Sequence, residues 1–129
     1  VKGEPFRAKA RKLLQDAAAS GMRLIAPPHF ISEVDSAIRK RVFDGKMTHE
    51  EAKKAYTILD AAPVRIVDAV GLRQRAREIA EQFNQRFVYD ATYAALAELR
   101  GCEFWTADGM FYDAVKGALA FVKYLPDYP

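Results

Sequence analysis

A chain of 129 residues and 14.5 kDa, half hydrophobic and 29% charged, has the size and balance of one compact globular domain, which excludes a disordered tail. No apolar run approaches the roughly 20 residues of a membrane-spanning helix and Val1 to Phe6 carries no signal-peptide core, while one cysteine and two histidines exclude a disulfide framework and a standard structural zinc site; a soluble, cytoplasmic protein is expected. The net charge of +3 is uneven, with twelve basic and eight acidic side chains in residues 1–60 against eight and nine in 61–129, a split that suits a polyanion on one surface and cations on another, although an ordinary solvated surface is the simpler account of charge alone.

Along the chain the hydrophobic period alternates between helix and strand. Phe6, Ala10, Leu13, Leu14 and Ala17 predict a first helix over 5–19, with Pro5 admitted in its first turn and Gly21 ending it. Leu24-Ile25-Ala26 is a short buried strand stopped by Pro27-Pro28. Phe30, Val34, Ala37, Ile38 and Val42 form the next helical stripe, broken at Asp44-Gly45-Lys46. Thr48 and Glu51 are spaced as a capping box that opens a third helix with Ala52, Ala55, Tyr56 and Leu59 on one face, so the two helices make a hairpin. Val64 to Val67 is a second strand, followed by a helix with Leu72, Ala76, Ile79 and Phe83 on one face.

Phe87 to Tyr89 lead into Asp90 as an apolar, strand-like approach, and the alanine-rich run from Ala91 begins a helix able to lie close against a sheet. Glu103 to Thr106 is a third strand, residues near Gly109 to Val115 a short helix, and Phe121 to Leu125 the last strand. Strands separated by helices imply crossover connections, hence an α/β fold with a mainly parallel sheet and helices on both faces.

In open parallel sheets, ligand sites form beyond the carboxyl ends of the strands. Asp68, Asp90 and Asp108 fall there, and each also precedes a helix, where Asp is a favoured N-cap. Asp68 reads as such a cap. Asp90 and Asp108 differ, being followed by the small residues Ala91 and Gly109, which leave their carboxylates accessible. Glu33 stands early in the helix after Pro28, beside Val34 and near its core face, where a carboxylate needs a partner. Carboxylates gathered at one sheet edge repel unless a divalent cation neutralises them, and an all-oxygen donor set favours Mg²⁺ or Mn²⁺. Such a cluster can activate water and stabilise the leaving oxygen of a phosphodiester. Thr106 is placed to orient Asp108, and Asp113 is an outer candidate that reads more simply as part of a solvated helix face. Cys102 reads as a small buried hydrophobe, His29 and His49 as a loop residue and a first-turn residue.

These blocks resemble a family. Pro28 through Glu33-Val34, then Tyr89-Asp90-Ala91-Thr92-Tyr93-Ala94-Ala95-Leu96-Ala97, then Trp105-Thr106-Ala107-Asp108-Gly109-Met110-Phe111 resemble the signature blocks of PIN-domain ribonucleases, and within them the VapC toxins of toxin-antitoxin pairs. The resemblance implies a three-layer α/β/α fold and four acids around Mg²⁺ or Mn²⁺. Glu33, Asp90 and Asp108 match three of them; the first, on a central strand that the family carries just before a segment like Val1-Lys2-Gly3-Glu4-Pro5, has no counterpart in residues 1–129. Either the ligand is lost or the strand lies upstream, and the second is expected, because removing a central parallel strand would expose its neighbours' backbone groups and much apolar area.

The activity so implied is metal-dependent endoribonuclease action, with Arg39, Lys40, Arg41 and Lys46 as candidate guides for the RNA backbone. An antitoxin of the VapB type would lie near the acids and insert an Arg among them. A homodimer is implied too, and the hairpin supports it, because Phe43, Met47, Tyr56 and Ile58 do not all share a face with Val34, Ile38 and Leu59. The competing functional class is a catalytically inactive PIN-fold module for RNA binding or protein interaction; a phosphoryl-transfer domain is a weaker third.

Overall fold

The computed structural model describes the backbone of residues 4–129 and side chains from residue 8 onward, so Val1-Lys2-Gly3 and the predicted core role of Phe6 lie outside the described residues. The elements follow the predicted order: α1 (Glu4–Ala19), β1 (Leu24–Ala26), α2 (Phe30–Phe43), α3 (His49–Ala61), β2 (Val64–Ile66), α4 (Leu72–Gln82), α5 (Tyr89–Arg100), β3 (Phe104–Thr106), α6 (Gly109–Val115), β4 (Val122–Tyr124) and a 3₁₀ turn at Leu125–Asp127. All described strand pairing is parallel, as the crossovers require, and it forms two two-stranded sheets, β1 with β2 and β3 with β4. The chain divides into two units. One is Leu24–Val67; the other joins the segment ending at Arg23 to Asp68–Pro129.

In the unit Leu24–Val67, β1 and β2 pair in the register Leu24 to Val64 and Ala26 to Ile66, and the Val67 N–H extends the ladder to the Ala26 carbonyl at 2.9 Å. Between them α2 and α3 pack as the expected hairpin. Helix α2 ends in a Schellman turn: Lys46 N–H bonds the Arg41 carbonyl at 2.8 Å and Gly45 N–H the Val42 carbonyl at 3.0 Å, with Gly45 at φ 74°, a conformation that costs glycine nothing. The capping box forms as read, the Thr48 hydroxyl accepting from Glu51 N–H at 3.1 Å and the Glu51 carboxylate from Thr48 N–H at 2.9 Å. The Thr48 N–H donating to that carboxylate, and then the Thr48 side chain, hold the Glu51 carboxyl below its ordinary value. Ile38 and Ala52 are the buried positions of the two helices. β2 is less buried than an apolar strand predicts, with Arg65 and Ile66 exposed.

In the other unit, α4 buries Leu72, Ala76, Ile79 and Ala80, and α5 buries Ala91 and Ala94 to Ala97. The two helices pack along their length, because alanines let the backbones approach. An Arg75–Glu98 ion pair spans them with two bonds, Nε to Oε1 at 2.5 Å and Nη2 to Oε2 at 3.1 Å. β3 and β4 are joined by α6, which buries Phe111 and Val115. The end of the chain returns to α1: the Tyr128 hydroxyl donates to Asp16 Oδ2 at 2.6 Å, Lys9 Nζ donates to the Tyr128 carbonyl, and the Trp105 ring meets the Tyr128 ring edge-on at 5.0 Å. Asp68 is not a cap. Helix α4 starts three residues later from Gly71, whose φ of 82° supplies the turn that a side-chain cap would otherwise fix.

Candidate functional site

Asp108 sits where β3 ends and α6 begins, and local chemistry fixes it from both sides. Its Oδ1 accepts from the Phe111 N–H at 3.1 Å, making it a true N-cap, while its own N–H donates to the Thr106 hydroxyl at 3.0 Å. Thr106 is 5% exposed, a buried polar residue whose oxygen is used in that bond. The Asp108 carboxylate is itself exposed, so capping a helix and facing solvent are compatible here. Gly109 matters for a different reason than carboxylate access: a Cβ there would come within 3.2 Å of the Tyr124 hydroxyl. Tyr124, which stacks on Tyr112 at 5.2 Å, is therefore a neighbour of the Asp108 turn, and no sequence signal beyond Gly109 itself points to it.

Asp90 differs from its prediction. Phe87 and Val88 form a bend and not a strand, and α5 begins at Tyr89, so Asp90 lies half-buried inside the first helical turn. It is not the cap. That position belongs to Val88, which makes no side-chain cap bond. A first-turn carboxylate still meets the positive end of the helix dipole.

A ladder of rings links these two turns. Tyr93, three residues after Asp90, stacks on Phe104 at 5.5 Å; Phe104 in turn touches Phe111, three residues after Asp108, at 6.3 Å. Both aspartates are thus carried on first turns that aromatic packing locks to β3, within one unit.

Glu33 belongs to the other unit, in the first turn of α2, where its N–H bonds the His29 carbonyl at 3.0 Å. Its side chain is exposed, contrary to the core-facing position expected from Val34, because the α2 stripe turns on Ile38 and leaves residue 33 on the outer flank. His29 is the N-cap residue of α2, as a loop position predicts, and His49 opens α3. Asp113 is on the solvated face of α6, paired with Lys116 at 3.3 Å. Cys102 is exposed and not buried; partial desolvation and the neighbouring Glu103 push its thiol up, which disfavours the reactive thiolate.

Of the basic guides, Lys40 is paired with Asp44 at 2.7 Å and Arg39 lies over the Phe43 ring at 5.9 Å. Arg41 and Lys46 are exposed. Arg39, Lys40, Asp35, Ser36, Phe43 and Tyr56 line a shallow groove of about 710 Å³ on the hairpin.

The donors of Asp90 and Asp108 are hard carboxylate oxygens, chemistry that fits Mg²⁺ or Mn²⁺ better than zinc. Within neither unit, among the described residues, do three or more His, Cys, Asp or Glu side chains gather as a metal site. Among the described residues no helix is long and apolar enough to cross a membrane.

Compared with known families, the sequence matches the model for the PIN domain over residues 1–117. No curated protein matches it.

Proposed function

The chain belongs to the PIN domain family, a nuclease-type fold, and from that premise we propose that it is a VapC-type endoribonuclease, dependent on Mg²⁺ or Mn²⁺, that hydrolyses RNA as the toxin of a toxin-antitoxin pair. The observation that carries the proposal is the pair Asp90 and Asp108, held on two helical first turns that one ring ladder ties to β3. In this proposal Glu33, Asp90 and Asp108 hold the ion, and the family pattern adds a fourth acid on a central strand. A divalent ion bound there supplies Lewis acidity toward a phosphodiester and makes water a better nucleophile. The protein's own contribution is position. Thr106 grips the Asp108 backbone, the cap bond to Phe111 sets the carboxylate's direction, and the exposed Asp108 meets substrate without a change of fold.

The same proposal makes the protein a homodimer through the α2–α3 hairpin and a partner of a VapB-type antitoxin whose Arg would pair with the acids. A second reading is a catalytically inactive PIN module for RNA or protein binding.

Incubation of single-stranded RNA with the full chain and Mn²⁺ separates the two. Cleavage is expected, is expected to stop in EDTA, and should fall by at least about a hundredfold in Asp108→Asn with the thermal midpoint unchanged, because Asn caps as well as Asp. Cleavage that persists in chelator, or an Asp108→Asn variant as active as wild type, defeats the nuclease proposal.

A further inference from the structure

Arg86 to Tyr89 lead from the end of α4 into the first turn of α5, which carries Asp90. Helix α4 ends in a second Schellman turn: Gln85 N–H bonds the Ala80 carbonyl at 2.7 Å, Asn84 N–H the Glu81 carbonyl at 3.2 Å, and Asn84 takes φ 52°. The Gln85 amide donates to the Phe83 carbonyl at 3.0 Å. On the far side, the Val88 carbonyl accepts both the N–H of Thr92 at 2.8 Å and its hydroxyl at 2.6 Å. Arg86 to Tyr89 are therefore pinned at both ends. Yet this pinned segment turns its apolar side chains outward, with Phe87 61%, Val88 43% and Tyr89 55% exposed. The α4–α5 interface is filled by alanines, leucine and isoleucine from other positions. Three consecutive exposed apolar residues on a rigid support mark an interaction surface.

Its chemistry selects the occupant. The Phe87 and Tyr89 rings lie 6.1 Å apart with planes 32° from one another, and the Arg86 guanidinium sits 5.3 Å from the Phe87 centroid. Flat π faces beside a guanidinium match an unpaired nucleobase and its phosphate, the pairing by which single-stranded nucleic acid is held without sequence readout.

We propose that Arg86, Phe87 and Tyr89 form a stacking platform for an unpaired base of RNA, which delivers the adjoining phosphodiester toward Asp90. The platform rests on the ribonuclease reading and names for it the residues that hold an unpaired base, which a single strand offers and a duplex does not.

Binding without turnover tests it. The affinity of a fluorescein-labelled, single-stranded decaribonucleotide and of a blunt RNA duplex is measured in EDTA for wild type, Phe87→Leu, Tyr89→Leu and Met22→Leu. Leucine keeps apolar volume and removes the π face, and Met22, an exposed apolar residue outside the platform and the hairpin, is the control. Stacking of one base predicts a loss of roughly five- to a hundredfold for single strand in Phe87→Leu or Tyr89→Leu, with duplex binding and Met22→Leu unchanged. Wild-type single-strand affinity in both platform variants overturns the proposal and leaves the patch to a protein partner, as does an equal loss for duplex. Because the measurement needs no cleavage, RNA bound through Phe87 but never hydrolysed in Mn²⁺ would defeat the nuclease alone, and normal cleavage with no effect of either variant would defeat the platform alone.

Discussion

At Asp108 one carboxylate has two kinds of use, and the buried hydroxyl behind it shows which bond is structural. Thr106→Val keeps the shape of the side chain and deletes the acceptor of the Asp108 N–H, leaving that donor unpaired beside a buried position. The expected loss is about 1–2 kcal/mol in a denaturant unfolding curve, with Thr106→Ser close to wild type. Equal stability of Thr106→Val and Thr106→Ser would mean that the bond carries no net energy. Residue by residue, caps are legible only in part: Thr48 with Glu51 and Asp108 form bonds that span three residues, as their spacing suggests, while Asp68 caps nothing. Asp90 is less legible, because Phe87-Val88-Tyr89 carries aromatic and β-branched side chains of strand type while hydrogen bonds from Val88 onward draw it into a helix. The exposure of Glu33 and Cys102 depends on packing that no local pattern records.

Between elements, the Arg75–Glu98 pair is the clearest charge contact from α4 to α5, with Glu78 adding a longer bond to Arg75 at 3.4 Å. The Arg75 guanidinium holds the Glu98 carboxyl below its ordinary value, first through the hydrogen bond and then through charge. A depressed carboxylate stabilises the fold above its unfolded value and loses that contribution as pH falls through the folded one. Arg75→Leu should therefore lower stability by about 0.5–1 kcal/mol at pH 7, the range of a bidentate but partly solvated pair. The gap between variant and wild-type thermal midpoints should narrow as the pH is taken below the ordinary carboxylate range. A gap that stays constant down to pH 2 would assign the loss to packing of the arginine stem instead. The partners of this pair are 23 residues apart in sequence, which is why helical periodicity finds both helices and says nothing of the contact.

For the whole molecule, the sequence discloses the order of elements because proline and glycine punctuate it: Gly21, Pro27-Pro28, Gly45 and Gly101 each fall at a boundary. It also discloses parallel strands, through the helices that separate them. The division into units is not legible, since the segment ending at Arg23 pairs with residues beyond Asp68, and periodicity has no long-range term. The proposed dimer belongs to this scale. Phe43 and Ile58, 77% and 71% exposed, leave apolar area on the hairpin, as their misfit with the buried stripe predicts. Light scattering at micromolar concentration should give twice the 14.5 kDa chain mass, and Phe43→Glu should return it to one. A wild-type mass of one chain, unchanged on concentration, would end the dimer proposal.

The return of Tyr128 to α1 has a consequence in time. Leu24–Val67 is continuous in sequence, so all of its contacts can form as soon as Val67 has left the ribosome. The other unit cannot close that early: the bond from Tyr128 to Asp16 spans 112 residues, and that from Lys9 to the Tyr128 carbonyl spans 119. Loops of that length are the slow contacts of folding, because their closure entropy is met before any packing rewards it. The turn that carries Asp108 lies in this late-closing unit, so a growing chain holds the hairpin well before it holds the aspartates in place.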